Sequence, residues 1–149
     1  MPSLTELASY LESIAPAQIA ESWDNVGVLV RCAQEVTGVL CALDITPATV
    51  REARAVGCNV IVSHHPVIFR PLKELCQDDV PALLVREGVS AVCMHTNLDK
   101  AQGGVNDVLA QALGLRDTEP FAGGIGRVGA LPETMEAAAF AQFVGKALD

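Results

Sequence analysis

An α/β fold, with βαβ units forming a sheet flanked by helices, is what three features of this sequence predict. Short β-branched runs alternate with amphipathic helical stretches, several of those stretches stop at a glycine, and every histidine falls just past a predicted strand. Strands alternating with helices at this spacing form parallel pairs with right-handed crossovers. Ligands of such sheets bind beyond the carboxyl ends of the strands. His64, His65 and His95 therefore share one expected rim.

Ser3-Leu4-Thr5-Glu6 has capping-box spacing, and Leu4, Leu7, Ala8, Leu11 and Ile14 follow on one helical face. Pro16 ends this helix. A polar loop, Glu21 to Asn25, holds the chain's single Trp and leads into a short strand, Val26 to Val30. Val36 to Leu43 reads as a second strand running into Asp44-Ile45-Thr46-Pro47, where Thr46 caps and Pro47 takes the first helical position. That helix runs to about Val56 and stops at Gly57. The β-branched run Asn59 to Val62 is the central strand, and it meets Ser63-His64-His65-Pro66. A helix over Val80 to Glu87 ends at Gly88, and Ala91 to Met94 is the next strand. His95-Thr96-Asn97-Leu98-Asp99 reads as its exit loop, and Val105 to Leu113 as a helix closed by Gly114. Beyond it the pattern weakens. Phe121 to Gly129 is glycine-dense and enters a short strand, Arg127 to Leu131; Thr134 then caps a helix running to the end.

The 149 residues fit one domain with a real core, and a hydrophobic share of 50% excludes disorder. No apolar run approaches a membrane span, and the first residues lack the pattern of a secretory signal. Five cysteines with no Cys-x-x-Cys pair read as small buried apolar residues of a reducing compartment, so the cytoplasm is expected. A formal net charge of −8 argues against nucleic acid as a partner, since phosphate binding needs clustered Lys and Arg. Nucleotides need only a few local donors and stay admissible.

The chemistry concentrates at the histidines. Side chains alternate along a strand, so His64 and His65 converge only if the chain turns between them, and Pro66 enforces an extended or turn conformation there. The plain alternative is a hydrogen-bonded pair in a polar turn. His95 and Asp99 at a neighbouring exit favour metal, and imidazole with carboxylate suits Zn²⁺, Fe²⁺, Mn²⁺ or Ni²⁺ without selecting among them. Cys58 and Cys93, at the start and inside of strands, are weaker candidates. Asp44 is as readily a helix cap as a ligand. Trp23 with Asp24 and Asn25 suggests a base-stacking platform, although a buried Trp over a capped turn is the expectation. Gly123-Gly124-Ile125-Gly126 precedes a strand, so tight turns explain it better than phosphate binding. There is no Gly-x-Ser-x-Gly elbow and no support for a nucleophile triad.

Six stretches then match one family in order. They are Trp23 to Gly27, Ala42 to Thr46, Ser63 to Phe69, His95 to Asp99, Gly104 to Asp107 and Gly124 to Gly129. The chain resembles the Nif-three-like dinuclear-metal hexameric proteins, the GTP cyclohydrolase I type 2 homologues. The resemblance implies an α/β fold of two similar halves, a toroidal homo-hexamer and two divalent metal ions per subunit. His64, His65 and Asp99 match its metal ligands; His95 matches a position beside them and is the candidate catalytic residue. Residues 1–122 read as the first half, carrying the His-His and His-x-x-x-Asp motifs, and 123–149 as the start of a second, incomplete half. The family completes its site with a later His and Glu, which have no counterpart here. The carboxylates Asp107, Asp117, Glu119, Glu133, Glu136 and Asp149 lie outside any ligand motif. Fewer than two tightly held ions per chain are therefore expected.

Three functions compete. The first is a metal-dependent hydrolase acting on a purine nucleotide by opening its imidazole ring, as the resemblance implies. The second is a non-enzymatic metal-binding scaffold, carrier or regulatory ring. The third is a structural α/β module with hydrogen-bonded histidines. The partners expected are a small-molecule or nucleotide substrate and further copies of the chain, with no membrane.

Overall fold

The structure is a computed structural model in which residues 1–148 are described; the end of the expected second half at Asp149 lies outside them. The chain forms two compact units, Met1–Leu98 and Asp99–Asp149.

The first unit is built on a four-stranded sheet. Its first helix, α1 (Leu4–Ile14), starts as the sequence predicts. The Ser3 hydroxyl accepts from the Glu6 N–H at 3.1 Å, and the Glu6 carboxylate accepts from the Ser3 N–H at 2.7 Å. The strands are β1 (Gly27–Val30), β2 (Val39–Ala42), β3 (Val60–Ser63) and β4 (Ser90–Cys93), ordered β1-β4-β3-β2. Between them lie α2 (Pro47–Ala55), capped by Thr46, and α3 (Val80–Glu87), closed by Gly88 in the left-handed region at φ 67°. β2, β3 and β4 run parallel, as βαβ units require, and β1 runs antiparallel to β4. The segment 31–38 between β1 and β2 contains no helix. It therefore lacks the long crossover that would return the chain in the same direction.

Strand alternation sorts the core onto two faces. Ile61 and Ala91 pack with Val50 and Ala53 of α2 and Leu84 of α3. Val60 and Val92 pack with Leu4 of α1 and with Val36, and Leu7 and Leu11 lie against the same cluster. β2 is shorter than the sequence suggested because Val36 is used elsewhere: its N–H donates to the Pro2 carbonyl at 2.8 Å, tying the segment to the start of α1. The cysteines are only partly buried as expected. Cys93 is buried on β4, but Cys41 on edge strand β2 and Cys76 in the loop before α3 are exposed.

A short helix, α4 (Thr96–Lys100), follows β4, and the second unit contains α5 (Val105–Ala112), an antiparallel hairpin of β5 (Arg116–Phe121) and β6 (Gly126–Ala130), and α6 (Ala137–Ala147). β5 was not legible in the sequence. Every residue in it is exposed, so it has no apolar alternation and exists through its pairing with β6. The boundary expected at 122/123 falls in the turn Ala122–Gly124 that joins these paired strands. α6 starts after Glu136 and not at Thr134, since its first backbone bond runs from the Phe140 N–H to the Glu136 carbonyl. Among the described residues no helix is long and apolar enough to cross a membrane.

Leu84 is fully buried where α3 meets the sheet. Leu84→Ala is expected to destabilise the chain by about 2–5 kcal/mol, the range for a buried leucine losing its side chain. Chemical denaturation followed by circular dichroism measures it.

Candidate metal centre

The parallel strands end level with one another. Ala42 pairs with Ser63, and Ser63 with Cys93, so β2, β3 and β4 release the chain at the same height. The ladder continues briefly beyond them. The His64 N–H donates to the Ala42 carbonyl, the His65 N–H to the Leu43 carbonyl and the Met94 N–H to the Ser63 carbonyl, at 2.9–3.1 Å. The next side chains on that rim are Asp44, His64, His65 and His95. The chain turns between the two histidines, and the Ser63 hydroxyl donates to the His65 carbonyl at 2.9 Å across that turn.

The three imidazoles converge. Ring centroids lie 5.1 Å apart for His64–His65, 5.1 Å for His64–His95 and 5.7 Å for His65–His95. One ring nitrogen from each lies within 4.8 Å of the others, a spacing that admits a metal ion. Each Nδ1 faces an oxygen: the Met94 carbonyl for His64 at 3.1 Å, Asp44 for His65 at 2.8 Å, and Asp24 for His95 at 2.9 Å. Carbonyl and carboxylate oxygens only accept, so each neutral ring carries its proton on Nδ1. The tautomer is thereby set, and the Nε2 atoms bear the lone pairs a metal takes. Asp44 is thus neither the helix cap, which is Thr46, nor placed by the structure as a ligand; it holds His65.

Asp24, read in the sequence only as part of a Trp23 platform or a capped turn, is the residue whose role at the site sequence reasoning missed. Its side chain is fully buried. One carboxylate oxygen accepts from His95 and from the Asn25 N–H, and the other from the Thr96 N–H and hydroxyl. Burial pushes this carboxyl up, but the bonds from His95, Thr96 and Asn25 outweigh it, and its pKa lies below the ordinary 3.8. The bonds to Thr96 also explain why the expected exit loop is a helix, α4 (Thr96–Lys100): a carboxylate 72 residues away serves its first turn. Cys93, at the end of β4, is not a ready thiolate. Burial, reinforced by the Asp24 charge, pushes its pKa up to about 12, and its S–H faces the His64 carbonyl at 3.1 Å.

Trp23 departs from expectation too: it is 57% exposed. Its ring meets Phe69 edge-on at 6.0 Å and His95 edge-on at 6.5 Å. A cavity of about 370 Å³ opens beside His65, with Asp44, Leu72 and Asp79 in its lining.

Asp99, the remaining ligand expected from the resemblance, opens the second unit and lies on α4; the histidine cluster is assembled within the first unit. In the second unit the glycine-rich stretch is a tight structural turn. A Cβ on Gly126 would collide with the Phe121 ring, and Gly123 and Gly124 have φ of 70° and 91°. Arg127 ion-pairs with Asp107 and donates to the carbonyls of Gly124 and Gly126 at 2.7 and 3.1 Å. Its guanidinium, with the Gly103 N–H, draws the Asp107 carboxyl below its ordinary range.

Fold and site together define an α/β protein whose sheet rim carries a tautomer-locked cluster of imidazoles at metal-ligand spacing. Residues 2–149 match the family described as Duf34/NIF3 (NGG1p interacting factor 3), and the chain belongs to it. It is 42% identical over 118 residues to a Staphylococcus aureus (strain MRSA252) protein named GTP cyclohydrolase 1 type 2 homolog, a match covering 76% of this chain and 32% of that protein. It superimposes on a Bacillus cereus protein related to NIF3 with a TM-score of 0.73 at 40% identity, over 80% of this chain and 34% of the other. Reduced HcgD from Methanocaldococcus jannaschii gives 0.85 at 26% identity, over 97% and 60%. The chain therefore spans about a third of the length of the staphylococcal relative.

The depressed Asp24 pKa has a sign that can be checked. Its stabilising contribution is complete above the unfolded value of 3.8 and is lost as pH falls through the lower native value. Asp24→Asn is expected to cost about 2–3 kcal/mol near neutral pH. The gap between variant and wild type should narrow between about pH 5 and about pH 2 in urea denaturation. A gap that stays constant would show that the carboxylate is not held in its charged form by the fold.

Proposed function

We propose that the chain binds a divalent metal ion through His64 and His65 with His95 beside them, and that this centre serves a hydrolase acting on a purine nucleotide. The observation that supports it is the cluster itself: three imidazoles with every Nδ1 engaged by an oxygen and ring nitrogens at ligand spacing. Such a donor set fits a first-row divalent ion. When bound, that ion supplies Lewis acidity to a carbonyl or phosphoryl oxygen and acidifies water.

The chain's own residues have separable tasks. His64 and His65 bind, and the Met94 carbonyl and Asp44 orient them. His95 keeps its proton on Nδ1 and donates it as a hydrogen bond to Asp24, so its Nε2 is the atom that accepts or returns a proton near the substrate. Asp99 is carried as a further carboxylate ligand, and a second ion and the hexameric ring as features of the whole protein, on the family resemblance. The purine substrate rests on the name of the staphylococcal relative. A metal-binding scaffold without turnover is the second reading, favoured by the half-exposed position of His65, from which an ion can be handed over.

Metal titration by calorimetry, on protein purified without an affinity tag, tests the centre. His64→Ala and His65→Ala are each expected to weaken binding by more than about 100-fold, beyond the effect of outer-shell changes, and Asp99→Asn to weaken it also. Wild-type affinity should fall as the solution is acidified, because only neutral imidazole binds. Unchanged affinity in both histidine variants would sink the proposal. Turnover of GTP by the metal-loaded protein then separates the hydrolase from the scaffold: tight binding without product favours the scaffold.

A further inference from the structure

We propose that Trp23 and Phe69 form a stacking platform for a planar heteroaromatic ring, placed at the edge of the histidine cluster. The inference rests on the purine reading above and assigns the residues that would recognise the base. Trp23 and Phe69 are 57% and 44% exposed, and they touch edge to face. The indole also meets the His95 ring edge-on, so a ring held on this platform lies next to the histidine cluster. Among the described residues no ring lies parallel to the indole.

Exposure here does not mean looseness. Asp24, the next residue, is buried and bonded to His95 and Thr96. Asn25 donates from its side chain to the Ile68 carbonyl at 2.6 Å, fastening the Trp23 loop to the residue before Phe69. Both aromatics are therefore positioned by neighbours that hold their backbones. A rigid, wet aromatic surface is the arrangement that binds a π-face with little ordering cost. The cavity beside His65 does not offer comparable recognition of a phosphate, since its charged lining is Asp44 and Asp79. The ring of the ligand is the part this rim is built to hold.

Trp23 is the chain's single tryptophan, so its fluorescence reports the platform directly. Guanosine monophosphate should quench it saturably, while ribose 5-phosphate, which lacks the ring, should not. By calorimetry, Trp23→Ala should weaken guanosine monophosphate binding on the order of tenfold to a hundredfold, and Trp23→Phe should restore most of it, as expected for base–aromatic stacking. Metal binding by Trp23→Ala should match wild type, which shows that the fold and the cluster are intact. No quenching by guanosine monophosphate, or equal quenching by ribose 5-phosphate, overturns the platform. So does unaltered nucleotide affinity in Trp23→Ala. A blue shift of wild-type emission with rising protein concentration, without ligand, also overturns it, because a second copy of the chain would then cover the indole. Failure of metal to bind the wild type would remove the hydrolase reading instead, and the quenching result would still decide the platform.

Discussion

The level ending of three parallel strands is the constraint on which the site depends. Ala42, Ser63 and Cys93 stand in register, so the residues that follow them emerge at one height. Asp44, His64, His65 and His95 come from three separate segments and need no long loop to meet. A shift of one residue in either pairing would turn the exiting side chains to the opposite face. The buried alternation of Val60 and Val92 against Ile61 and Ala91 guards against that shift, since slippage would exchange the two core faces.

The antiparallel strand completes the arrangement. β1 pairs with β4 so that Gly27 stands opposite Cys93, and the chain enters β1 at the rim where the other strands leave. The residues just before β1, Trp23, Asp24 and Asn25, are thereby delivered to the same rim. Asp24 then links two functions through one carboxylate: it orients His95 and supplies acceptors to the first turn of α4. Burying that charge is tolerable because four donors surround it. The geometry of His95 and the existence of α4 are consequently coupled.

A common pattern holds the histidines. Each ring is oriented by an oxygen on its Nδ1, but the three oxygens differ: a backbone carbonyl, a half-exposed carboxylate and a buried carboxylate. The environment around each imidazole therefore differs in polarity and exposure. The Asp44–His65 pair is half-exposed, whereas the Asp24–His95 pair is far more enclosed. A metal ligand benefits from some access, whereas a proton-transfer residue benefits from a fixed tautomer.

The sequence by itself determined the helices with strong local signals, such as the Ser3–Glu6 capping box, Thr46-Pro47 and Gly88, because those signals act within a few residues. It also determined that all three histidines follow strands of one α/β sheet, since β-branched runs and their exits are local patterns. Only the tertiary structure decided that β1 pairs with β4 and runs antiparallel to it, because that partner lies more than 60 residues further along the chain. With that pairing came the role of Asp24, whose partners His95 and Thr96 are more than 70 residues away, and the exposure of Trp23. The same holds for α4, read as a loop because the carboxylate that starts it is remote, and for β5, whose exposed residues form a strand through their pairing with β6. Local propensity is written in neighbouring residues; convergence at a rim is set by register between strands, which no short stretch of sequence contains.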